Sequence, residues 1–180
     1  MHFHIRKASI EDVPEVSELI ARSVTGLSAA DYTPRQIELS IRTVFGVDTD
    51  LINDGSYFVA VSSDGTIVGC GGWSKRKTLY GASRYDESRD PELLDPAFDA
   101  AKIRAFFIHP DWARCGIGTA ILDVCENEAR SHGFSSAEMM STLPGVKLYT
   151  VRGYAGDDEF QVPLGEGESI TCVKMSKSLV

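Results

Sequence analysis

The sequence predicts a single α/β domain of the mixed, α+β kind. Three observations favour this class. In the first half, "SYFVAVSSDGTIVGCGGWSK" has two β-rich runs around Asp64-Gly65, which is typical of a hairpin. In the second half, "AKIRAFFIHP" opens a strand–loop–helix–strand unit. The length of 180 residues suits one domain whose core is large enough to need no disulfides.

The elements before the hairpin follow from local signals. "HFHIRKAS" predicts a short strand, and "IEDVPEVSELIARSV" has apolar residues at helical spacing. Ser9, with Asp12 three residues later, resembles a capping box at the start of this helix. "TPRQIELSIRTVF" predicts a second helix, with Thr33 as its cap and Pro34 at its first position.

The elements after the hairpin are separated from it by an irregular insertion at about 76–99. A functional lid or substrate loop and a surface excursion both fit that insertion. "AKIRAFFIHP" then predicts a long strand ended by Pro110, and a helix is expected from about Ile117 to His132, stopped by Gly133. "FSSAEMMST" predicts a strand, "GVKLYTVRGY" a short helix and "ESITCVKMSKSL" a closing strand.

The composition of the chain indicates which classes of binding partner and which cellular compartment to expect. The chain has 18 basic and 26 acidic residues, a net charge of −8, which argues against nucleic acid or an anionic membrane as the main partner. No apolar run approaches a membrane span, and the N-terminus lacks a secretory signal.

Four scattered cysteines suggest free thiols in a cytoplasmic protein. His2 and His4 share one strand face, but two ligands at a terminus are a weak basis for a site, so no metal is expected.

The stretch "HPDWARCGIGTAIL" predicts an anion-binding helix start. The first amides of a helix lack intrahelical partners and carry partial positive charge. Gly116 and Gly118 would let an anion approach those amides closely. Arg114 adds a cation with geometry suited to phosphate, and Thr119 adds an amide and a hydroxyl.

Two common phosphate motifs do not fit this stretch. A P-loop needs lysine after its glycines, but Gly118 is followed by Thr119-Ala120. A dinucleotide fingerprint needs a third glycine, and Ile121 stands at that position. The glycines alone would also suit an ordinary strand-to-helix turn.

A resemblance to a known family distinguishes these readings. "FFIHPDWARCGIGTAIL" resembles the acyl-CoA binding segment of the GNAT N-acetyltransferase superfamily, in which a strand is followed by [Gln/Arg]-x-x-Gly-x-[Gly/Ala] and a helix. The glycine pair matches Gly116 and Gly118. The first motif position falls on Ala113, and the arginine stands one place later at Arg114.

The resemblance covers nearly the whole chain, apart from the insertion. "IRKASIEDVPEVSELI" looks like the opening strand and helix of the family, and the hairpin stands where its second and third strands belong. "GVKLYTVRGY" is similar to the late "LYxxxGF" segment, with Leu148, Tyr149, Gly153 and Tyr154 in place. The resemblance implies a single GNAT-like domain over residues 1–180, with a central mixed, mostly antiparallel sheet flanked by helices.

The resemblance also implies the chemistry. It implies an N-acetyltransferase that moves an acetyl group from acetyl-CoA, its co-substrate, to a primary amine by direct attack, without a metal. Phe106, Phe107 and Ile108 would pair with the pantetheine arm. The pyrophosphate would lie on the loop residues Arg114, Cys115, Gly116, Ile117, Gly118 and Thr119.

The same resemblance assigns one of the two proton transfers, and the position of Glu138 on the strand after the binding helix suggests the other. Tyr149 matches the tyrosine that protonates the leaving thiolate, although an amphipathic core tyrosine would have the same sequence. Glu138 is the candidate base, acting directly or through water, and the alternative is a solvated strand carboxylate.

Rival functions and the acceptor stay open. Cys115, beside Arg114 and close to His109, would suit a thiol enzyme, and a non-catalytic acyl-CoA sensor also fits. The acceptor could be a small-molecule amine, a polyamine, an antibiotic or the amino terminus of a peptide or protein, and a homodimer is compatible with the family. The acidic residues between 86 and 99 could draw a cationic amine or form a solvated loop; they are Asp86, Glu87, Asp90, Glu92, Asp95 and Asp99.

Overall fold

A computed structural model describes residues 2–86 and 89–180. Seven strands form one sheet in the order β1-β2-β3-β4-β5-β7-β6. Every neighbouring pair is antiparallel except β4 and β5, which are parallel. This confirms the predicted mixed, mostly antiparallel sheet. The strands are β1 (Phe3–Lys7), β2 (Tyr57–Ser62), β3 (Ile67–Ser74), β4 (Ala101–Ile108), β5 (Ser136–Thr142), β6 (Ala155–Gly165) and β7 (Glu168–Ser178).

In the described part of the chain, five α-helices flank the sheet: α1 (Val13–Leu27), α2 (Pro34–Arg42), α3 (Thr49–Asn53), α4 (Ile117–Ser131) and α5 (Leu143–Val151). Both predicted start signals are present. The Asp12 carboxylate accepts the Ser9 amide at 2.8 Å, ahead of the 3-10 turn that leads into α1. The Thr33 hydroxyl and the Gln36 side chain form a reciprocal capping box at the start of α2.

The helices divide between the two faces of the sheet. On one face α4 and α5 cover the sheet, and residues of α4 such as Ile117 and Ile121 pack with Phe58 and Val68. On the other face α1 packs through Val16 and its apolar neighbours on β2 and β3. Since side chains alternate along a strand, each strand contributes to both cores. The two faces are called the α4 face and the α1 face below.

Sequence reasoning did not detect α3 and β6. The helix α3 has only five residues, too few to show a helical period. The strand β6 contains glycine, proline and a run of acidic residues, none of which favours a strand. It lies at the edge of the sheet, where most of its side chains are exposed and a proline is tolerated.

The described residues of the insertion, 76–86 and 89–99, are docked on the domain. Its two arms bond each other: the Lys77 amide donates to the Glu92 carbonyl at 2.9 Å, and the Leu94 amide donates to the Lys75 carbonyl at 2.8 Å. The Ala82 amide donates to the Val44 carbonyl after α2. The insertion therefore covers part of the α1 face and does not project freely into solvent.

A buried ion cluster ties the insertion to β4. Asp48, which is fully buried, lies 2.7 Å from Arg104 and 3.1 Å from Arg89. The Arg104 guanidinium also donates to the Gly81 carbonyl at 2.6 Å. Because the side chains of Asp48 and Arg104 are almost completely buried, each charge depends on its partner for stabilisation.

Asp48→Asn should therefore destabilise the fold. Asparagine can still cap α3, as Asp48 does through the Asp50 amide, but Arg104 loses its counter-charge. We expect the free energy of unfolding to fall by about 3 kcal/mol in chemical denaturation. The matched control is Asp50→Asn, whose carboxylate is half exposed at 3.5 Å from Arg89 and should contribute less than about 1 kcal/mol. Equal losses for the two variants would contradict the role of the buried cluster.

Candidate active site

The sheet is split between its two parallel strands. β4 and β5 pair only at Ala101–Ala137 and Lys102–Glu138. Beyond these pairs, β5 continues along β7 to Thr142, while β4 continues along β3 to Ile108. A wedge-shaped opening therefore separates residues 103–108 of β4 from residues 139–142 of β5. The Ile108 amide donates to the Ser23 hydroxyl at 3.1 Å, and other backbone groups of β4 that face this opening can pair with an extended ligand.

A β-bulge in β4 produces the divergence. Arg104 pairs with Gly72 and Phe107 pairs with Cys70, so Ala105 and Phe106 together oppose Gly71. Ala105 has a φ of 57°, a left-handed conformation that bends the strand. After the bulge, Phe106 and Ile108 face the core of the α4 face, and Ala105 and Phe107 face the core of the α1 face.

The predicted anion-binding loop lies between β4 and α4. Arg114 and Gly116 have positive φ values of 62° and 87°, and α4 begins at Ile117. The first intrahelical bond runs from the Ala120 amide to the Gly116 carbonyl at 2.9 Å, so the amides before it need other partners. Residues 114–116 are exposed. An added Cβ on Gly116 would contact nothing within 4 Å, so the approach to these amides is open.

Tyr149 lies on α5 at the α4-face side of the opening. It is 7% exposed, and its ring packs edge-on against Phe106 of β4 at 6.1 Å and Tyr154 at 5.9 Å. Burial raises the pKa of the Tyr149 phenol above its ordinary value. The phenol is therefore protonated at any working pH and can act as a donor.

Glu138 lies where β4 and β5 part, and its side chain shares the α1 face with Met140. Lys102 donates to one carboxylate oxygen, and Lys174 lies 3.2 Å from the other. Burial alone would raise the pKa of Glu138, but the hydrogen bonds from the two lysines outweigh burial and lower the pKa. Glu138 is thus an ionised, half-buried carboxylate, and the structure does not place it as a freely solvated strand residue.

Sequence reasoning missed Tyr32, which holds the start of α5. The N-cap of that helix, Thr142, makes no side-chain capping bond. Instead the Tyr32 hydroxyl accepts the Leu143 amide at 2.9 Å and donates to the Thr171 carbonyl at 2.7 Å. Burial raises the pKa of Tyr32, so this phenol also stays protonated. No local signal could have revealed a cap that lies 111 residues away in sequence.

The other candidate groups lie apart from an organised centre. Cys115 is exposed and its thiol contacts the Ala113 carbonyl at 3.6 Å, while the His109 ring accepts the Asp111 amide. Within 2–86 and 89–180, no three His, Cys, Asp or Glu side chains are grouped to hold a metal. No helix of these ranges is long and apolar enough to cross a membrane.

Comparison with known proteins identifies the family. The profile of the Acetyltransferase (GNAT) family matches residues 22–154, about three quarters of the chain. The chain belongs to the GNAT acetyltransferase family. It is therefore an acyltransferase that depends on acetyl-CoA. No curated protein matches the chain at the sequence level.

Solved structures show the same fold at low sequence identity. A GCN5-related N-acetyltransferase from Rhodopseudomonas palustris has a TM-score of 0.72 at 20% identity, over 99% of this chain and 96% of that one. The paia N-acetyltransferase of Thermoplasma acidophilum, in complex with coenzyme A, has a TM-score of 0.66 at 18% identity, over 99% of both chains. A phosphinothricin acetyltransferase from Sinorhizobium meliloti, in complex with AcCoA, has a TM-score of 0.65 at 17% identity, over 99% of this chain and 89% of that one.

Gly118→Glu should greatly weaken acetyl-CoA binding without unfolding the protein. The carboxylate would repel phosphate at the start of α4, where charge-assisted hydrogen bonds contribute about 1.5–3 kcal/mol each. We expect calorimetric titration to show an affinity at least about 100-fold weaker. The control is Gly118→Ala, whose Cβ would displace only the end of Leu148, 2.9 Å away. Undiminished affinity in folded Gly118→Glu would remove this loop from the binding site.

Proposed function

We propose that the protein transfers the acetyl group of acetyl-CoA to a primary amine by direct attack. The observation that carries the proposal is the split between β4 and β5. This split leads to the open loop before α4. The protonated phenol of Tyr149 lies on its α4 face, and the ionised carboxylate of Glu138 lies on its α1 face. Binding of coenzyme A and AcCoA by the two structural neighbours supports the same use of the fold here.

The binding of acetyl-CoA follows from two features of the split. The backbone of Phe106, Phe107 and Ile108 borders the opening, where its groups that are not bonded to β3 can pair with the amides of the pantetheine arm, as an additional strand would. The Ile108 amide is already bonded to the Ser23 hydroxyl, so Ile108 would contribute its carbonyl. Arg114 and the amides of residues 116–119 can hold the pyrophosphate. Cys115 and Ile117 contribute backbone to this loop, and the Ile117 side chain anchors it in the core.

The reaction needs one bond to form and one to break. The amine nitrogen attacks the thioester carbonyl carbon, and negative charge develops on the carbonyl oxygen, where backbone N–H groups near the bulge can stabilise it. The C–S bond then breaks and the sulfur leaves as a thiolate. One proton moves from the attacking nitrogen to a base, and one moves from Tyr149 to the sulfur.

The two proton carriers suit these opposite tasks. Burial keeps the Tyr149 phenol protonated, so it can donate a hydrogen bond to the sulfur as negative charge develops there. Because the raised pKa also makes the phenol a weaker acid, this hydrogen bond stabilises the leaving thiolate before proton transfer is complete. The lowered pKa of Glu138 makes it a weak but constantly ionised base, which favours transfer through an ordered water over direct abstraction from an ammonium. Lys102 and Lys174 fix the carboxylate in place.

The function is tested by thiol release from acetyl-CoA in the presence of a panel of amines. Amine-dependent release, with the acetylated amine identified by mass, is the expected result. Tight acetyl-CoA binding without turnover of any amine would instead indicate the acyl-CoA sensor.

Tyr149→Phe should lower kcat by roughly 10²–10⁴-fold with acetyl-CoA affinity nearly unchanged, because the ring stays and only the acidic proton is lost. The loss should shrink for thioesters with more acidic leaving thiols, which need less proton assistance. The control is Tyr154→Phe, which removes a neighbouring phenol. A lower melting temperature with no leaving-group dependence would indicate a core tyrosine instead.

Glu138→Gln should lower kcat/KM by about 10²-fold at neutral pH, because the acceptor loses its base. Above the pKa of the acceptor ammonium, the amine is already unprotonated and depends less on a base. The kcat/KM of the variant should therefore approach that of the wild type as pH rises. The comparison is Lys174→Gln, which removes one of the two lysines and keeps the carboxylate. A pH-independent loss together with reduced stability would show that Glu138 only neutralises the lysines.

A further inference from the structure

We infer that the acceptor is a small primary amine attached to an apolar group of aromatic size. This inference rests on the proposed function and names the substrate class of the same site. The acceptor must approach the split from the α1 face, because α4 and α5 cover the other face. The lining of the opening on the α1 face therefore determines which amines can bind.

That lining is apolar on both sides of the opening. Phe107 stands on the β4 side, and Met140 and Leu143 stand on the β5 side. Phe45, which follows α2, and Tyr80 of the insertion complete the set. All five side chains are half-buried, so they offer apolar surface that the fold leaves partly uncovered. These five residues are called the acceptor slot.

The five side chains belong to two adjoining packing clusters. The rings of Phe45 and Phe107 meet edge-on at 5.6 Å. Phe45 packs against the core cluster on the β4 side and also against the cluster that contains Tyr32 and Tyr85. Met140, Leu143 and Tyr80 pack against that second cluster too. An aromatic group that enters between these side chains can adopt the edge-on contacts that rings prefer.

The charged groups near the slot are already paired. Both oxygens of Glu138 face lysines, and both arginines of the buried cluster face Asp48. Within the insertion, Glu92 lies 2.8 Å from Lys77, and Asp95 accepts the Ala97 amide. Glu87 lies outside the described residues. The acceptor slot itself has no carboxylate among its five side chains, which favours an apolar acceptor over a polycation.

The test compares acceptors that differ in the group attached to the amine: 2-phenylethylamine, hexylamine, ethanolamine, spermidine and a short peptide with an amino-terminal serine. Each kcat/KM is corrected for the fraction of unprotonated amine. We expect 2-phenylethylamine to exceed ethanolamine and spermidine by at least about 10-fold, the discrimination that an apolar pocket provides. Equal or better turnover of spermidine or the peptide would overturn the inference.

Two slot variants connect this preference to the structure. Met140→Gln keeps the length of the side chain and adds polarity, so kcat/KM should fall about 10-fold for 2-phenylethylamine and less than about 2-fold for ethanolamine, through KM. Phe45→Leu keeps the slot apolar but removes a ring, so it should lower the ratio of 2-phenylethylamine to hexylamine. The control is Phe98→Gln, because Phe98 belongs to the insertion and is 89% exposed. This variant should change neither the kcat/KM values nor the ratio of 2-phenylethylamine to hexylamine.

The outcomes separate this inference from the proposed function. Turnover of amines without an apolar preference contradicts the slot and leaves the acetyltransferase proposal intact. Absence of turnover with every acceptor, although acetyl-CoA binds, contradicts both. Equal losses for 2-phenylethylamine and ethanolamine in folded Met140→Gln contradict the slot.

Discussion

The incomplete pairing of β4 and β5 is the constraint on which the rest of the structure depends. A parallel pair normally continues its ladder, since unpaired backbone groups are costly when buried. Here the ladder stops after two residue pairs, and the bulge at Ala105 bends β4 away from β5. Beyond that point the Ile108 amide is satisfied by the Ser23 hydroxyl, and the other backbone groups that face the opening are available to solvent or to a ligand. The opening thus interrupts the sheet between the described residues of β4 and β5.

Elements from the first half of the chain hold the two sides of the opening. On the β4 side, Asp48 fixes Arg104 just before the bulge, and the Ser23 hydroxyl of α1 accepts the Ile108 amide at 3.1 Å. On the β5 side, the Tyr32 phenol caps the start of α5 and thereby sets the position of Tyr149 two turns later. Both sides of the opening are therefore anchored by contacts with a different part of the chain.

Local signals in the sequence predicted the parts of the site that are built locally. The glycine loop, the caps at Ser9 and Thr33, and the short helix that carries Tyr149 each depend on neighbouring residues. The edge strand β6, the cap by Tyr32 and the pairing of Glu138 with Lys102 depend on residues far apart in sequence, for which a single chain shows no pattern. The split itself follows from register across three strands, so only the family resemblance could indicate it.

The two faces of the split have opposite electrostatic effects on their titratable groups. On the α4 face, burial raises the pKa of Tyr149 and keeps the phenol protonated; on the α1 face, two lysines lower the pKa of Glu138 and keep the carboxylate ionised. Environments that push two pKa values apart are what acid–base chemistry at one pH requires. Since neither group titrates near neutral pH, the pH dependence of the reaction should come from the acceptor amine, which must lose its proton before it can attack. In the proposed mechanism the protein contributes a fixed donor and a fixed acceptor, and direct attack would pass the acetyl group between the two substrates without a covalent intermediate on Cys115 or any other side chain.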